Sequence, residues 1–186
     1  MKKYNKITCT ALVIIIAYYS IGFSQIVKTG TIIFNPQKYS FSLSIPKGWV
    51  SDDQKGIKLG WQKVFYPAIF NFSTSPIIVY GKSVLKSDIA TIKLQTEITI
   101  QEHINNGNYN YKIKAKDFIK IPGNKTCKIF IFSEDQWGNS EAIAYIEEKN
   151  TINYIVYNAR TNKAFNQYFN KFKKIIKTYK NKYLLK

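Results

Sequence analysis

The residues best suited to chemistry in this sequence are one histidine and one cysteine. His103 is the only histidine, and Cys127 is the only cysteine beyond residue 9. Together they could supply the nucleophile and base of a cysteine-dependent hydrolase. Each also has an ordinary structural interpretation, because His103 falls near the end of a predicted helix and Cys127 alternates with Ile129 and Ile131 on one strand face. We therefore predict no catalytic residue and keep the hydrolase as the alternative hypothesis.

Two groups of acidic residues could bind a cation or act as acid and base. Asp52-Asp53 lies in the polar segment Ser51 to Lys58, which we predict to be a surface loop. Glu134-Asp135 is followed by Asn139 and Glu141 in a predicted hairpin loop, where a calcium ion could bind weakly. The spacing fits no EF-hand, and one histidine with one cysteine cannot build a typical zinc shell. We predict solvated loops, with no metal site, no cofactor and no cofactor-binding residue.

The chain is strongly basic, with a formal net charge of +17. A charge of this size predicts an anionic partner, but the abundance of lysine, isoleucine and asparagine is also typical of a genome-wide base-composition bias. Arg160 is the only arginine. Because arginine makes the bidentate contacts of most sequence readers, we do not expect specific nucleic-acid recognition.

Residues 1–24 have the pattern of an export signal. Three lysines precede the apolar run Ala11 to Ile21, and small residues follow up to Ser24. The apolar run is shorter than the roughly 20 residues that a spanning helix needs. We expect cleavage after Ser24, no transmembrane anchor after cleavage, and a periplasmic or extracellular location. The mature chain, residues 25–186, would be a single domain whose charge falls to +14 with the loss of the three signal lysines.

An alternating strand followed by a turn organises the mature chain. It runs from Lys38 to Val50, with Pro46 and Gly48 forming a turn that carries Trp49 onto a sheet. One face of this strand is apolar and consists of Phe41, Leu43 and Ile45.

Two helices are predicted. Ser87 to Gly107 alternates like a strand, but its length, a possible N-cap at Ser87 or Asp88 and the stop signal Asn105-Asn106-Gly107 favour a helix. The second helix runs from Asn162 to Tyr179 and is amphipathic. Its apolar stripe consists of Phe165, Tyr168, Phe169, Phe172, Ile175, Ile176 and Tyr179.

The remaining periodic segments predict strands, two pairs of which form hairpins. The hairpin turns are Pro122-Gly123-Asn124 and Lys149-Asn150. Ala68 to Ser75 is a predicted loop whose Phe70 and Phe72 form either a lid over the sheet edge, which we favour, or a contact surface. The predicted strands are Thr29 to Phe34, Trp61 to Pro67, Pro76 to Ser83, Tyr109 to Ile119, Lys125 to Phe132, Glu141 to Glu148 and Thr151 to Asn158.

Four segments together resemble the PsbP-like proteins: YSFSLSIPKGWV, AIAYIEE, NYIVYNA and FNQYFNKFKKIIKTYK. The proline, glycine and tryptophan of that family's strand and turn match Pro46, Gly48 and Trp49. The resemblance implies an α+β fold: an α-β-α sandwich with a mainly antiparallel sheet of about six to eight strands, one mid-chain helix and one long C-terminal helix. No residue matches the family's photosynthetic or Ran-binding sites, so those activities are not carried over.

For function, the resemblance implies a non-catalytic binding or accessory role. We therefore expect a non-enzymatic, exported envelope protein that acts as a monomeric binding module. Its partner would be another protein or an anionic envelope component.

Overall fold

The structure, a computed structural model, describes residues 31–34, 39–59, 61, 64–86 and 91–183. The predicted signal segment and its cleavage site lie outside these residues. The described residues form ten strands and three helices. In chain order they are β1 (Thr31–Phe34), β2 (Tyr39–Ser44), β3 (Trp49–Asp52), α1 (Asp53–Lys58), β4 (Val64–Pro67), β5 (Ile77–Leu85), α2 (Ile92–Asn105), β6 (Ile113–Ile121), β7 (Lys125–Phe132), β8 (Ser140–Glu147), β9 (Thr151–Ala159), α3 (Asn162–Ile176) and β10 (Lys180–Tyr183).

A seven-stranded antiparallel sheet forms the centre of the fold, with strand order β3-β4-β5-β9-β8-β7-β6. Successive side chains of its strands point to opposite faces, and each face has its own apolar cluster. Helix α3 packs in the cluster on one face, and helix α2 contributes Ile92 to the cluster on the other. The α+β sandwich with a mainly antiparallel sheet is therefore confirmed.

Residues 39–50, the described part of the strand and turn predicted over Lys38 to Val50, contribute to two sheets. Strand β2 pairs with β1 and β10 in a separate three-stranded sheet, whereas β3 begins the seven-stranded sheet after the turn at Gly48. Gly48 has a φ of +79°, a conformation that costs glycine little. Trp49 is 2% exposed, and its ring lies 6.1 Å from that of Phe65 and 6.5 Å from that of Tyr168. The predicted burial of the tryptophan is confirmed.

Helix α3 covers the sheet with the predicted apolar stripe but ends at Ile176 instead of Tyr179, so Tyr179 reaches the same core from beyond the helix. Its first turn is capped by Thr161, whose hydroxyl accepts a hydrogen bond from the backbone N–H of Ala164 at 3.1 Å. The Tyr157 hydroxyl of β9 donates to the carbonyls of Ala164 and Phe165, at 3.2 and 2.9 Å. Phe172 is fully buried beneath the helix. Because the apolar residues recur every three or four positions, one face of α3 enters the core and its lysines remain outside.

Helix α2 begins later than predicted. Its N-cap is Thr91, whose hydroxyl accepts from the backbone N–H of Leu94 at 3.1 Å, so neither Ser87 nor Asp88 caps it. Residues 87–90 lie outside the described part of the chain. The predicted stop is confirmed, because the helix is capped at Asn106 and Gly107 has a φ of +94°.

The prediction of a surface loop over Ser51 to Lys58 was wrong. Asp52 ends β3 and caps α1, accepting from the backbone N–H of Lys55 at 2.9 Å. Its second oxygen accepts from the Tyr66 hydroxyl at 3.1 Å. A short polar helix resembles a loop in composition, and only the capping geometry separates them.

The loop over 68–75 folds back on the sheet. Phe72 is half-buried, with its ring 6.1 Å from that of Tyr66 in β4, as the lid interpretation expects. Strand β10 was not predicted at all, although it pairs with β2 over its whole length.

Candidate functional site

The structure places Cys127 and His103 on opposite faces of the central sheet. Cys127 belongs to the cluster beneath α3 and is 0% exposed, and burial raises the pKa of its thiol to about 12, with a smaller contribution from Asp117. His103 lies on α2, stacked at 3.8 Å on Tyr111, which belongs to the other cluster. Burial lowers the pKa of His103. The hydrolase alternative therefore fails on geometry, and the thiol is the reverse of an activated nucleophile.

The acidic groups of the β7–β8 loop accept hydrogen bonds from the loop itself and from the start of α3. Asp135 accepts from the backbone N–H groups of Trp137 and Asn139, at 2.9 and 2.8 Å, and from the Asn139 amide at 2.8 Å. Glu134 accepts from the Asn162 side chain at the start of α3. Within the described ranges, no three His, Cys, Asp or Glu residues are grouped so as to hold a metal ion.

A polar cavity of about 140 Å³ lies between α2 and strands β5, β8 and β9. We call it the Glu141 pocket. Its sheet side includes the side chains of Tyr80, Tyr145 and Tyr154, and its helix side includes Glu102 and His103. The Tyr80 ring is held from outside by Trp61, stacked at 3.9 Å with an interplanar angle of 5°.

Glu141 is a buried acid of this pocket whose pKa is raised. It is 8% exposed, and its carboxyl accepts hydrogen bonds from the Tyr111 hydroxyl at 2.9 Å and, at the longer distance of 3.5 Å, from the Asn158 amide. Burial raises its pKa from 4.5 to about 7, although both hydrogen bonds oppose that rise. The prediction that Glu141 belongs to a solvated loop was wrong, because Glu141 lies in β8, is buried and lines the pocket.

Arg160 is used to hold a loop. Its Nε donates to the carbonyl of Ser75 and its Nη2 to that of Ser73, both at 2.8 Å. A second cavity, of about 170 Å³, lies beside it and includes Phe72 and Asn158 in its lining. The single arginine therefore fixes the 68–75 loop over this cavity.

The exposed surface with the clearest pattern lies on β6 and β7, the last two strands of the central sheet. Lys116 is paired with Phe130, and Phe118 with Lys128, in the antiparallel register. Directly opposite residues share a face, and the alternation places Lys120 on that face too. We call these five residues the basic strip: Lys116, Phe118, Lys120, Lys128 and Phe130.

The basic strip holds three exposed lysines around phenylalanine rings. Phe118 is 59% exposed, and the Lys116 ammonium lies 5.5 Å from the Phe130 ring centroid. Neighbouring acids are directed elsewhere. Asp117 points to the opposite face, 3.4 Å from Lys173, and Glu147 is paired with Lys86 at 2.5 Å.

Comparison with known proteins shows the fold. No protein-family model and no curated protein matches the chain. Among solved structures, the solution structure of cyanobacterial PsbP from Synechocystis sp. PCC 6803 superposes with a TM-score of 0.54 and 9% sequence identity, covering 83% of this chain and 94% of that one. The Ran-binding protein Mog1p of Saccharomyces cerevisiae follows with a TM-score of 0.49 and 12% identity, covering 82% of this chain and 96% of that one.

The chain therefore has the PsbP-like fold that the sequence resemblance implied. At this level of identity the likeness shows the architecture alone. Among the described helices, none combines the length and apolarity needed to cross a membrane.

Neither the basic strip nor the Glu141 pocket was predicted from the sequence. The alternation of lysine and phenylalanine at 116, 118 and 120 was a signal for one charged strand face. The Glu141 pocket had no comparable signal, because its walls come from four separate elements.

Proposed function

We propose that this protein is a non-enzymatic binding module that is exported and binds an acidic surface of another protein through the basic strip. The observation that carries the proposal is the cross-strand alternation of lysine and phenylalanine on an exposed sheet face. Lysines attract an anionic surface at a distance, and apolar rings between them add contact area that a purely electrostatic surface lacks.

The position of the strip also supports a binding role. Strand β6 is the last strand of the central sheet, so its lysines stand at a sheet edge. Edge lysines commonly protect a sheet from aggregation, and that role alone would explain Lys116 and Lys120. It does not explain the exposed Phe118 ring between them, because an exposed apolar ring increases the tendency of an edge to associate.

The non-enzymatic part of the proposal rests on the candidate chemistry. The thiol of Cys127 is buried and its pKa is raised to about 12, and His103 lies on the far side of the sheet. The resemblance to PsbP-like proteins also implies binding or accessory roles.

A crosslinking pull-down from the native cell tests this function. The variant Lys116→Gln/Lys120→Gln/Lys128→Gln is compared with Lys163→Gln/Lys174→Gln/Lys177→Gln, which removes the same charge from exposed positions on and beside α3. We expect the first variant to lose the partner and the second to keep it, and Cys127→Ser to retain binding. Binding should weaken as salt rises, since the Debye length is about 8 Å at physiological ionic strength.

Three results would contradict the proposal. Equal retention by both triple variants would exclude the strip, and equal loss would show that net charge alone attracts the partner. Binding to anionic lipid vesicles without any crosslinked protein would favour an envelope lipid instead.

A further inference from the structure

The two buried glutamates of β8 and its hairpin differ in how their charge is compensated. Glu148 is 6% exposed and is paired with Lys125, and it also accepts from the Tyr179 hydroxyl at 3.1 Å. Glu141 is 8% exposed, and within the described ranges no lysine or arginine forms an ion pair with it. Burying a carboxylate without a cationic partner is costly, so the cavity in front of Glu141 calls for an explanation.

The walls of the Glu141 pocket suit an ammonium group. Tyr80, Tyr145 and Tyr154 line it, and tyrosine rings attract cations through their faces. Glu102 adds a second carboxylate on the α2 side. An ammonium group bound here would supply the charge that Lys125 supplies to Glu148.

The pocket also carries one cation of its own. Lys82 of β5 lines it, two residues after Tyr80 on the same strand face. A purely cationic ligand would be repelled by Lys82, whereas a ligand with a carboxylate at its other end would pair with it. The cavity volume of about 140 Å³ suits a small molecule.

We propose that the Glu141 pocket binds a small zwitterion of amino-acid size, with its ammonium group against Glu141 and the tyrosine faces and its carboxylate against Lys82. This site lies between α2 and the sheet, and none of the five residues of the basic strip lines it, although Phe130 of the strip contacts Tyr145 with 5.6 Å between ring centroids. Its failure in a test would leave the proposed function untouched.

The test compares matched probes by isothermal titration and by tyrosine and tryptophan fluorescence. Alanine, valine and leucine are the zwitterions. Isobutylamine is valine without its carboxylate, and isovalerate is valine without its amine. We expect at least one zwitterion to bind at about 10 mM, tenfold above a millimolar dissociation constant, and isobutylamine and isovalerate to bind at least tenfold more weakly than valine if valine is that ligand.

Variants assign the two charged contacts. Glu141→Gln should weaken zwitterion binding at least tenfold, while Glu97→Gln, an exposed position on α2 outside the pocket, should leave it unchanged. Lys82→Gln should remove the advantage of valine over isobutylamine. Circular dichroism confirms that each variant is folded.

Two outcomes would overturn the inference. One is the absence of binding by all three zwitterions to the folded wild-type protein. The other is isobutylamine binding as tightly as valine, which would show that the carboxylate of the ligand contributes nothing to binding.

Discussion

At the residue scale, the protonation of the buried Glu141 carboxyl makes the stability of the fold depend on pH. Its pKa is raised by burial to about 7, compared with the ordinary value of 4.5. The proton is therefore bound more tightly in the folded chain than in the unfolded chain. Below pH 4.5 both states are protonated and Glu141 imposes no penalty on folding. As pH rises from 4.5 to 7 the unfolded chain ionises first, so stability is lost across this window.

We predict that Glu141→Gln becomes increasingly more stable than the wild type as pH rises. A pKa difference of this size corresponds to about 3 kcal/mol in the free energy of unfolding above pH 7, since one pKa unit is about 1.4 kcal/mol. Glutamine can still accept from the Tyr111 hydroxyl, so the packing is retained. Urea melts at pH 5 and pH 8 measure the difference.

Glu97→Gln is the control for this prediction, because Glu97 is exposed on α2. The pKa of His103 is lowered, so its contribution to the stability of the fold decreases as pH falls, which is opposite to the effect of Glu141. His103 is present in both proteins, so its effect cancels in the comparison. A stability difference between wild type and Glu141→Gln that stays constant with pH would show that Glu141 titrates normally.

At the element scale, helix α3 is held by its aromatic face. Phe172 is 0% exposed, and its ring is stacked at 5.0 Å on that of Tyr157. We predict that Phe172→Ala lowers the free energy of unfolding by about 3–5 kcal/mol, because it removes contacts and leaves a cavity. Lys174→Ala, on the exposed face, should change it by no more than about 0.5 kcal/mol.

Urea melts of the two helix variants decide this point. Lys174 is a better control than Lys173, because Lys173 lies 3.4 Å from Asp117 of β6 and 5.2 Å from the Phe169 ring centroid. Equal effects of Phe172→Ala and Lys174→Ala would mean that the buried face of α3 is wrongly assigned.

The elements that sequence predicted are those whose pattern is local. The stripe of α3, the stop of α2 and the turn after β6 each depend on residues a few positions apart, and the turn holds Gly123 and Asn124 at φ values of +81° and +55°. Strand β10 was missed because the described sequence KNKY has no strand pattern and pairs with β2, which lies near the other end of the chain. Long-range pairing of this kind is absent from any short window of sequence.

The candidate surfaces could be predicted only in part, for the same reason. Alternation in β6 indicates that Lys116, Phe118 and Lys120 share a face, but the register that brings Lys128 and Phe130 beside them belongs to the hairpin. The Glu141 pocket depends on how α2 lies over the sheet, which the helical stripe of α2 does not specify.

At the scale of the whole molecule, lysines outnumber acidic residues so strongly that the lack of an ion pair at one lysine does not indicate a binding site. The chain has 28 basic and 11 acidic residues, so fewer than half of the basic residues can have an acidic residue of their own. A base-composition bias would account for that excess but not for its arrangement. The regular placement of lysines and phenylalanines on the basic strip is therefore better support for a binding surface than net charge is.

The N-terminal segment predicts where the protein is located in the cell. The lysines at 2, 3 and 6, the apolar run Ala11 to Ile21 and the small residues before Gln25 predict export followed by cleavage after Ser24. Mass spectrometry of the protein from its native cell should find a mature N-terminus at Gln25 and should place the protein in the envelope or outside the cell. As a control, the triple variant Ile14→Asn/Ile15→Asn/Ile16→Asn should leave an uncleaved precursor, because it interrupts the apolar run that the export machinery recognises. Recovery of an intact Met1 from the mature pool would contradict the predicted cleavage.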